Sequence, residues 1–280
     1  VFGKASGSIS LVAADASGQA APRVMTTSTA IDWRPAACGD QIAFLSSRSG
    51  AIQLWTMARG GGTPAQLTRL KGSLVEFACS RDGGLFALGI NRDGRYGLML
   101  FNRRTGATDA LASADYGLHA PAFSAAADAV YFVRADRTLV RHDLASSTES
   151  VVARDVVRAL AAPDGRTLYF ARPDRQSLWR LDLASMAQTR LAVLPGRFAP
   201  MDFVLGDGAL WVLGRPGSDH AAPLYRVGLG DGRVDARRRL AAPFGDNFGL
   251  AADGATLVYP RLDRLEVDLY RADVERAGRR

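Results

Sequence analysis

An all-β chain closed into a six-bladed β-propeller is the fold class this sequence predicts, on three observations. Strand-like runs separated by polar turns recur with a period of about forty residues, a period of strands alone that marks a propeller blade. An Arg ends the second strand of every unit, at Arg48, Arg92, Arg134, Arg172, Arg215 and Arg261, with spacings of 44, 42, 38, 43 and 46. The third strand pairs Leu with an aromatic in four units, at Leu54-Trp55, Leu178-Trp179, Leu224-Tyr225 and Leu269-Tyr270. Strand neighbours point to opposite faces, so each such pair serves two blade-to-blade interfaces. Seven blades, with the N-terminal strands as a reduced blade, is the alternative.

The elements follow in order along a single domain, 1–280. Residues 8–27 read as two strands, ISLVAAD and APRVMTT, the second half of a blade whose first half is missing locally. Six units follow, at about 29–70, 74–112, 118–153, 157–194, 198–241 and 247–274. The fourth is the most regular: PDG turns into TLYFAR, a second turn leads to SLWRLDL, and a short strand ends the unit. Asp82-Gly83 and Asp93-Gly94 mark turns in the second unit, because Asp-Gly supplies the positive φ that tight hairpins need. The sixth unit shows only three strands, FGLAA, TLVYPR and VDLYRADV. The expectation is that APRVMTT, with or without ISLVAAD, adds to the sheet holding VDLYRADV and closes the ring, which removes an aggregation-prone edge.

Composition excludes some classes. The chain of 280 residues is 48% hydrophobic and 22% charged, ordinary for a globular domain, and has no apolar run of membrane-spanning length. It starts without an initiator Met or a signal-type apolar segment, so it reads as a mature or excised piece. The net charge is +7, yet the only lysines are Lys4 and Lys71, and the arginines are scattered apart from Arg237 to Arg239 and the tail Arg276, Arg279 and Arg280. A nucleic-acid face would concentrate them beside stacking aromatics. Two cysteines, Cys38 and Cys79, lie near the first turns of adjacent units but at offset repeat positions. A bridge needs Cα atoms within about 7 Å, and free thiols are the expectation.

No catalytic, cofactor-binding or metal residues stand out. His119, His142 and His220 lack ligand spacing. There is no G-x-S-x-G elbow and no phosphate loop; Gly60, Gly61 and Gly62 form a strand turn. The six arginines read as repeat-structural turn clamps, since an Asp follows in five units (Asp93, Asp136, Asp174, Asp219, Asp263) and a guanidinium can bond a carboxylate or turn carbonyls. Trp33, Phe77, Tyr116 and Phe244, near the starts of first strands, read as core. The connection from Arg215 to Pro223 breaks the repeat most, which makes Asp219 and His220 a possible binding loop.

The stretches from Gly39 to Thr68 and from Pro163 to Leu183 resemble the propeller repeat of the TolB-like family. The last unit, DGATLVYPRLDRLEVDLYRADV, resembles the C-terminal repeat of bacterial winged-helix transcriptional regulators of the CadC-like type. That resemblance implies the non-enzymatic sensory or protein-interaction half of such a regulator, on the periplasmic side of the inner membrane, with cytoplasmic placement as the alternative. A protein or small ligand would bind one end face, with no cofactor. DNA and membrane would be reached only through segments absent from these residues. A free periplasmic TolB-like scaffold, and a propeller enzyme (lyase, lactonase, or regulatory propeller of a peptidase), are the competing readings.

Overall fold

The structure, a computed structural model, describes residues 2–16, 21–112, 116–117, 121–206, 208–219, 221–241, 249–253 and 256–270. Among them the regular structure is all strand, in six four-stranded antiparallel sheets. The chain opens with β1 (Phe2–Asp15) and β2 (Arg23–Val24). Blade 1 holds β3 (Asp32–Cys38), β4 (Gln41–Ser49), β5 (Ala51–Ala58) and β6 (Ala65–Gln66). Blade 2 holds β7 (Ser73–Cys79), β8 (Leu85–Arg92), β9 (Arg95–Asn102) and β10 (Thr108–Ala112). Blade 3 holds β11 (Ala122–Phe123), β12 (Ala129–Val133), β13 (Leu139–Asp143) and β14 (Glu149–Ala153). Blade 4 holds β15 (Arg158–Ala161), β16 (Thr167–Ala171), β17 (Ser177–Asp182) and β18 (Gln188–Val193). Blade 5 holds β19 (Phe198–Gly206), β20 (Ala209–Gly214), β21 (Ala221–Gly228) and β22 (Val234–Ala241). The last strands are β23 (Ala251–Asp253) and β24 (Thr256–Tyr270). The first strands, β3, β7, β11, β15, β19 and β23, touch one another in sequence and return to β3, enclosing a central channel.

The ring closes in a sheet of order β2-β1-β24-β23. It is built as expected from both ends of the chain, with two differences. β1 (ISLVAAD and the residues before it) is the strand beside β24, and β2 lies outermost. VDLYRADV does not form a third strand: through Tyr270 it continues TLVYPR as the single strand β24. The sixth unit therefore lacks both outer strands, and the N-terminus supplies both. Pairing runs from Phe2↔Tyr270 to Asp15↔Thr256, with one register shift at Ser8/Ile9 that leaves Asp263 unpaired. A β-bulge of this kind bends a ribbon without ending it, which is why the charge-rich run from Arg261 to Arg264 does not turn the chain.

Burial follows the blade interfaces. Among the described residues there are six apolar clusters, each spanning two adjacent blades. The Leu–aromatic pairs act as their spacing predicts in three units. Leu54 packs between blades 1 and 2 while Trp55 packs toward the closing blade. Leu178 faces blade 5 and Trp179 faces blade 3. Leu224 faces the closing blade and Tyr225 faces blade 4. Leu269 and Tyr270 instead lie at the end of β24.

Turns are held by aspartates. Asp143 accepts the backbone N–H of Ala145 and Ser146, and Asp182 those of Ala184 and Ser185. These backbone bonds and the neighbouring Ser and Arg partners hold both carboxyls at about 2, below the ordinary 3.8. A depressed folded-state value means stabilisation that is present above the unfolded value and lost as pH falls through the folded one. Thermal midpoints measured across an acid series should therefore stay level above about pH 4 and fall between about pH 4 and 2. A midpoint that rises on acidification would contradict this assignment.

The free-thiol expectation is overturned. Cys38 and Cys79 form a disulfide with Cα atoms 5.8 Å apart, tying blade 1 to blade 2. The offset in repeat position is absorbed because the two first turns touch. Gly39 N–H donates to Arg81 O, and a Cβ on Gly39, whose φ is +59°, would sit 2.5 Å from Asp82 O. Only glycine allows that approach. The bridge spans 41 residues of sequence, for which loop-closure entropy gives about 4 kcal/mol. The Cys38→Ser/Cys79→Ser variant should melt roughly 8–15 °C lower. An unchanged melting temperature would mean that the bridge does not constrain the unfolded chain.

Candidate functional site

Each first strand starts at the face carrying the second-to-third-strand loops and ends at the face carrying the first-to-second-strand hairpins. At the loop end of the channel the structure gathers Arg34, Glu76, Arg158 and Asp202, from blades 1, 2, 4 and 5, and Tyr116 from the segment before blade 3. Local irregularity puts three of them there. β3, β7 and β19 each shift register, between Trp33/Ala36, Leu74/Glu76 and Phe198/Phe203. Bulges re-aim the side chains they carry. Arg34 also sits at φ 51°, a left-handed conformation that costs a non-glycine residue roughly 1–2 kcal/mol. Gly249 packs on it so closely that a Cβ would lie 2.7 Å from the Arg34 Cα.

Within the cluster the carboxylates are turned to the protein. Glu76, 1% exposed, accepts the Tyr116 hydroxyl and lies 3.7 Å from Arg34 Nη1. Asp202 accepts the Gly249 N–H at 3.1 Å. Burial, then the charge of Glu76 and its hydrogen bond, pushes the Tyr116 phenol well above its ordinary range, so it stays a donor. Arg158 is buried, with its guanidinium 5.0 Å from the Phe203 ring centroid. Burial and the nearby Arg34 charge bring it down to about 10, so it remains cationic at neutral pH.

Beyond this plug the channel widens toward the hairpin face into a cavity of about 360 Å³. Its walls are mostly apolar, with Phe77, Phe123, Leu160, Leu205 and Leu250 among them. Arg34 and Arg158 line the cavity; Glu76 and Asp202 do not. Two guanidinium groups thus close one end of an apolar chamber. Among the described residues no group of His, Cys, Asp and Glu is arranged to hold a metal ion.

The residues singled out from sequence lie elsewhere. Arg48 pairs with Asp32 and lies 5.9 Å from the Trp55 ring. Arg92 bonds Lys71 O, Arg134 pairs with Glu149, and Arg172 bonds Gln188 and stacks 4.3 Å over Trp179. Arg215 is exposed just past β20, and its N–H donates to Arg197 O. Arg261 pairs with Asp263, but from within β24 and not at a strand end. The following aspartates mostly serve turn backbones: Asp136 accepts from Thr138, and Asp174 from Gln176 and Ser177. Asp219 pairs with Arg239 at 2.9 Å on the outer strand β22. Its loop is on the face opposite the cavity, and His220 lies outside the described residues. The channel cluster itself was missed from sequence. Its one signal is a charged residue within short first strands that otherwise favour small or apolar residues (DWRPAAC, SLVEFAC, RALA, FAPMDFVLG).

Solved structures show what this arrangement is similar to. A putative TolB from Agrobacterium tumefaciens superposes with a TM-score of 0.69 at 16% identity, covering 91% of this chain and 98% of that one. TolB from Acinetobacter baumannii matches at 0.64 and 14%, covering 92% of this chain and 64% of its own length. The fold is that of the TolB-like β-propellers. An oligogalacturonate lyase in complex with manganese shares it more distantly, at a TM-score of 0.55 and 13% identity, over 90% of this chain and 77% of that one. No family model and no curated protein matches the sequence. At these identities the TolB-like likeness extends to the fold and stops there.

Proposed function

We propose that this chain is a non-enzymatic binding propeller that takes its ligand or partner through the hairpin-face mouth of the central channel. The observation that carries this is the division of the channel: a walled apolar chamber whose charged end has its carboxylates committed inward and its guanidiniums bordering the space. Such a chamber suits recognition. An acid–base pair would need carboxylates facing a substrate, and here they face Tyr116, Arg34 and the Gly249 backbone. The lyase-like alternative is tested directly. Oligogalacturonate incubated with the chain, with and without manganese, should yield no product; turnover would replace this reading with the enzymatic one.

The context we propose is the sensory half of a CadC-like winged-helix regulator, resting on the resemblance of residues 253–274. An exposed position on the periplasmic side is supported by the Cys38–Cys79 bridge, since disulfides persist in oxidising compartments. A winged helix encoded in the same reading frame ahead of Val1 would support the regulator. A secretion signal there would favour the free TolB-like scaffold.

A further inference from the structure

We infer that the channel chamber is a binding site for a small monocarboxylate with an apolar body, its carboxylate held by Arg34 and Arg158. The inference rests on the binding reading above and names the ligand class of the same channel.

Four features converge on it. Arg34 Nε and Nη1 are buried and make no hydrogen bond, and the Glu76 oxygen at 3.7 Å is beyond bonding distance. Buried guanidinium donors left unfilled are costly, and a planar carboxylate satisfies them in pairs. Arg34 is held in this position by a bulge and a left-handed backbone against Gly249, and strain of that kind concentrates at ligand sites. The charge balance favours a monoanion over a dianion. Glu76 and Asp202 already offset the charges of Arg34 and Arg158, so a second negative charge on the ligand, as on phosphate, adds to the repulsion that the first one meets. The walls select the body. Phe77, Phe123, Leu160, Leu205 and Leu250 offer apolar surface, which an alkyl or aryl group covers without needing a hydrogen-bond partner. A cavity of about 360 Å³ is at the small end of known ligand sites.

The probes are octanoate and phenylacetate, titrated calorimetrically into the purified chain, with 1-octanol, octylamine and inorganic phosphate as comparators. Saturable one-to-one binding of the carboxylates is expected, with each comparator at least tenfold weaker. Arg34→Gln should weaken octanoate at least tenfold, the loss of a charge-assisted hydrogen bond. Ala161→Phe, which fills the chamber from its wall, should abolish binding while circular dichroism stays that of a β fold; it decides the matter if Arg34→Gln does not fold. Equal binding of octanol, or octanoate affinity unchanged in a folded variant of either kind, overturns the inference. Absence of octanoate binding without turnover of oligogalacturonate removes this inference alone. Turnover of oligogalacturonate removes the binding reading beneath it.

Discussion

Leu11→Asp is expected to destroy cooperative folding, although it lies far from any channel residue in sequence and touches none of the repeat arginines. Leu11 is fully buried on β1, in the cluster with Ile42, Phe44 and Val258 that joins the closing blade to blade 1. Its N–H donates to Thr26 Oγ1 at 2.9 Å, and its carbonyl accepts from the Met25 N–H. An aspartate there has an apolar surround and no cationic partner, a substitution class that costs more than about 4 kcal/mol. The consequence is larger than that figure suggests, because β1 is also the strand that covers β24. Loosening it exposes a long strand edge, and exposed edges pair with other chains. The expected result is aggregation on expression, or a melting temperature lowered by more than about 10 °C. Val24→Asp is the control, since Val24 sits on the outermost strand β2 at 39% exposure and should shift stability by less than about 0.5 kcal/mol. If the two variants melted together, ring closure would not be part of the cooperative unit.

That asymmetry between β1 and β2 shows where sequence reasoning succeeds and where it stops. Blade number, strand order and the two-sided packing of Leu54-Trp55 or Leu178-Trp179 are written in local patterns that repeat, and each copy reinforces the others. The closing sheet is written once, in two pieces at opposite ends of the chain, so nothing local says whether β1 or β2 meets β24. Asp263 looked like a turn residue because Asp follows Arg in four other units; here the bulge at Ser8/Ile9 absorbs it. The disulfide was hidden for a related reason. Cys38 and Cys79 are 41 residues apart whereas Arg48 and Arg92 of the same units are 44 apart, and only the contact of Gly39 with the Asp82 carbonyl shows that the turns come close enough.

The channel cluster was the least legible. Repeat logic directs attention to what recurs, and Arg34, Glu76, Arg158 and Asp202 do not recur. Each occurs in one blade, differs in type from its neighbours, and gains a partner only when the ring is closed. Register shifts in β3, β7 and β19 then set the direction of Arg34, Glu76 and Asp202, and such short insertions are not visible against the variable turn lengths of this chain.

Glu76→Gln is the substitution that most directly exposes what this cluster does. Glutamine keeps the size of the side chain and an oxygen to accept the Tyr116 hydroxyl, so packing and that hydrogen bond can persist. What it removes is the negative charge facing Arg34, whose side chain is only 15% exposed. Breaking a buried ion pair from one side leaves an uncompensated charge and costs about 3–5 kcal/mol; the partial exposure of Arg34 puts the expectation at the low end, about 3 kcal/mol, or a melting temperature lower by roughly 6–12 °C. Adding Arg34→Met to Glu76→Gln should recover most of that loss, because it removes the uncompensated charge while the glutamine still accepts the Tyr116 hydroxyl. Such a double variant would be stable and yet lack one of the two guanidiniums at the chamber end. The single variant makes the opposite expectation for ligand. With Glu76 neutral, Arg34 has more to gain from an added carboxylate, so octanoate should raise the melting temperature of Glu76→Gln by more than that of the parent chain, and that of the double variant, which keeps only Arg158, by less than either. A Glu76→Gln protein as stable as the parent would show that Arg34 needs no counter-charge in the closed ring, and that the cluster is held by hydrogen bonds and packing in place of charge.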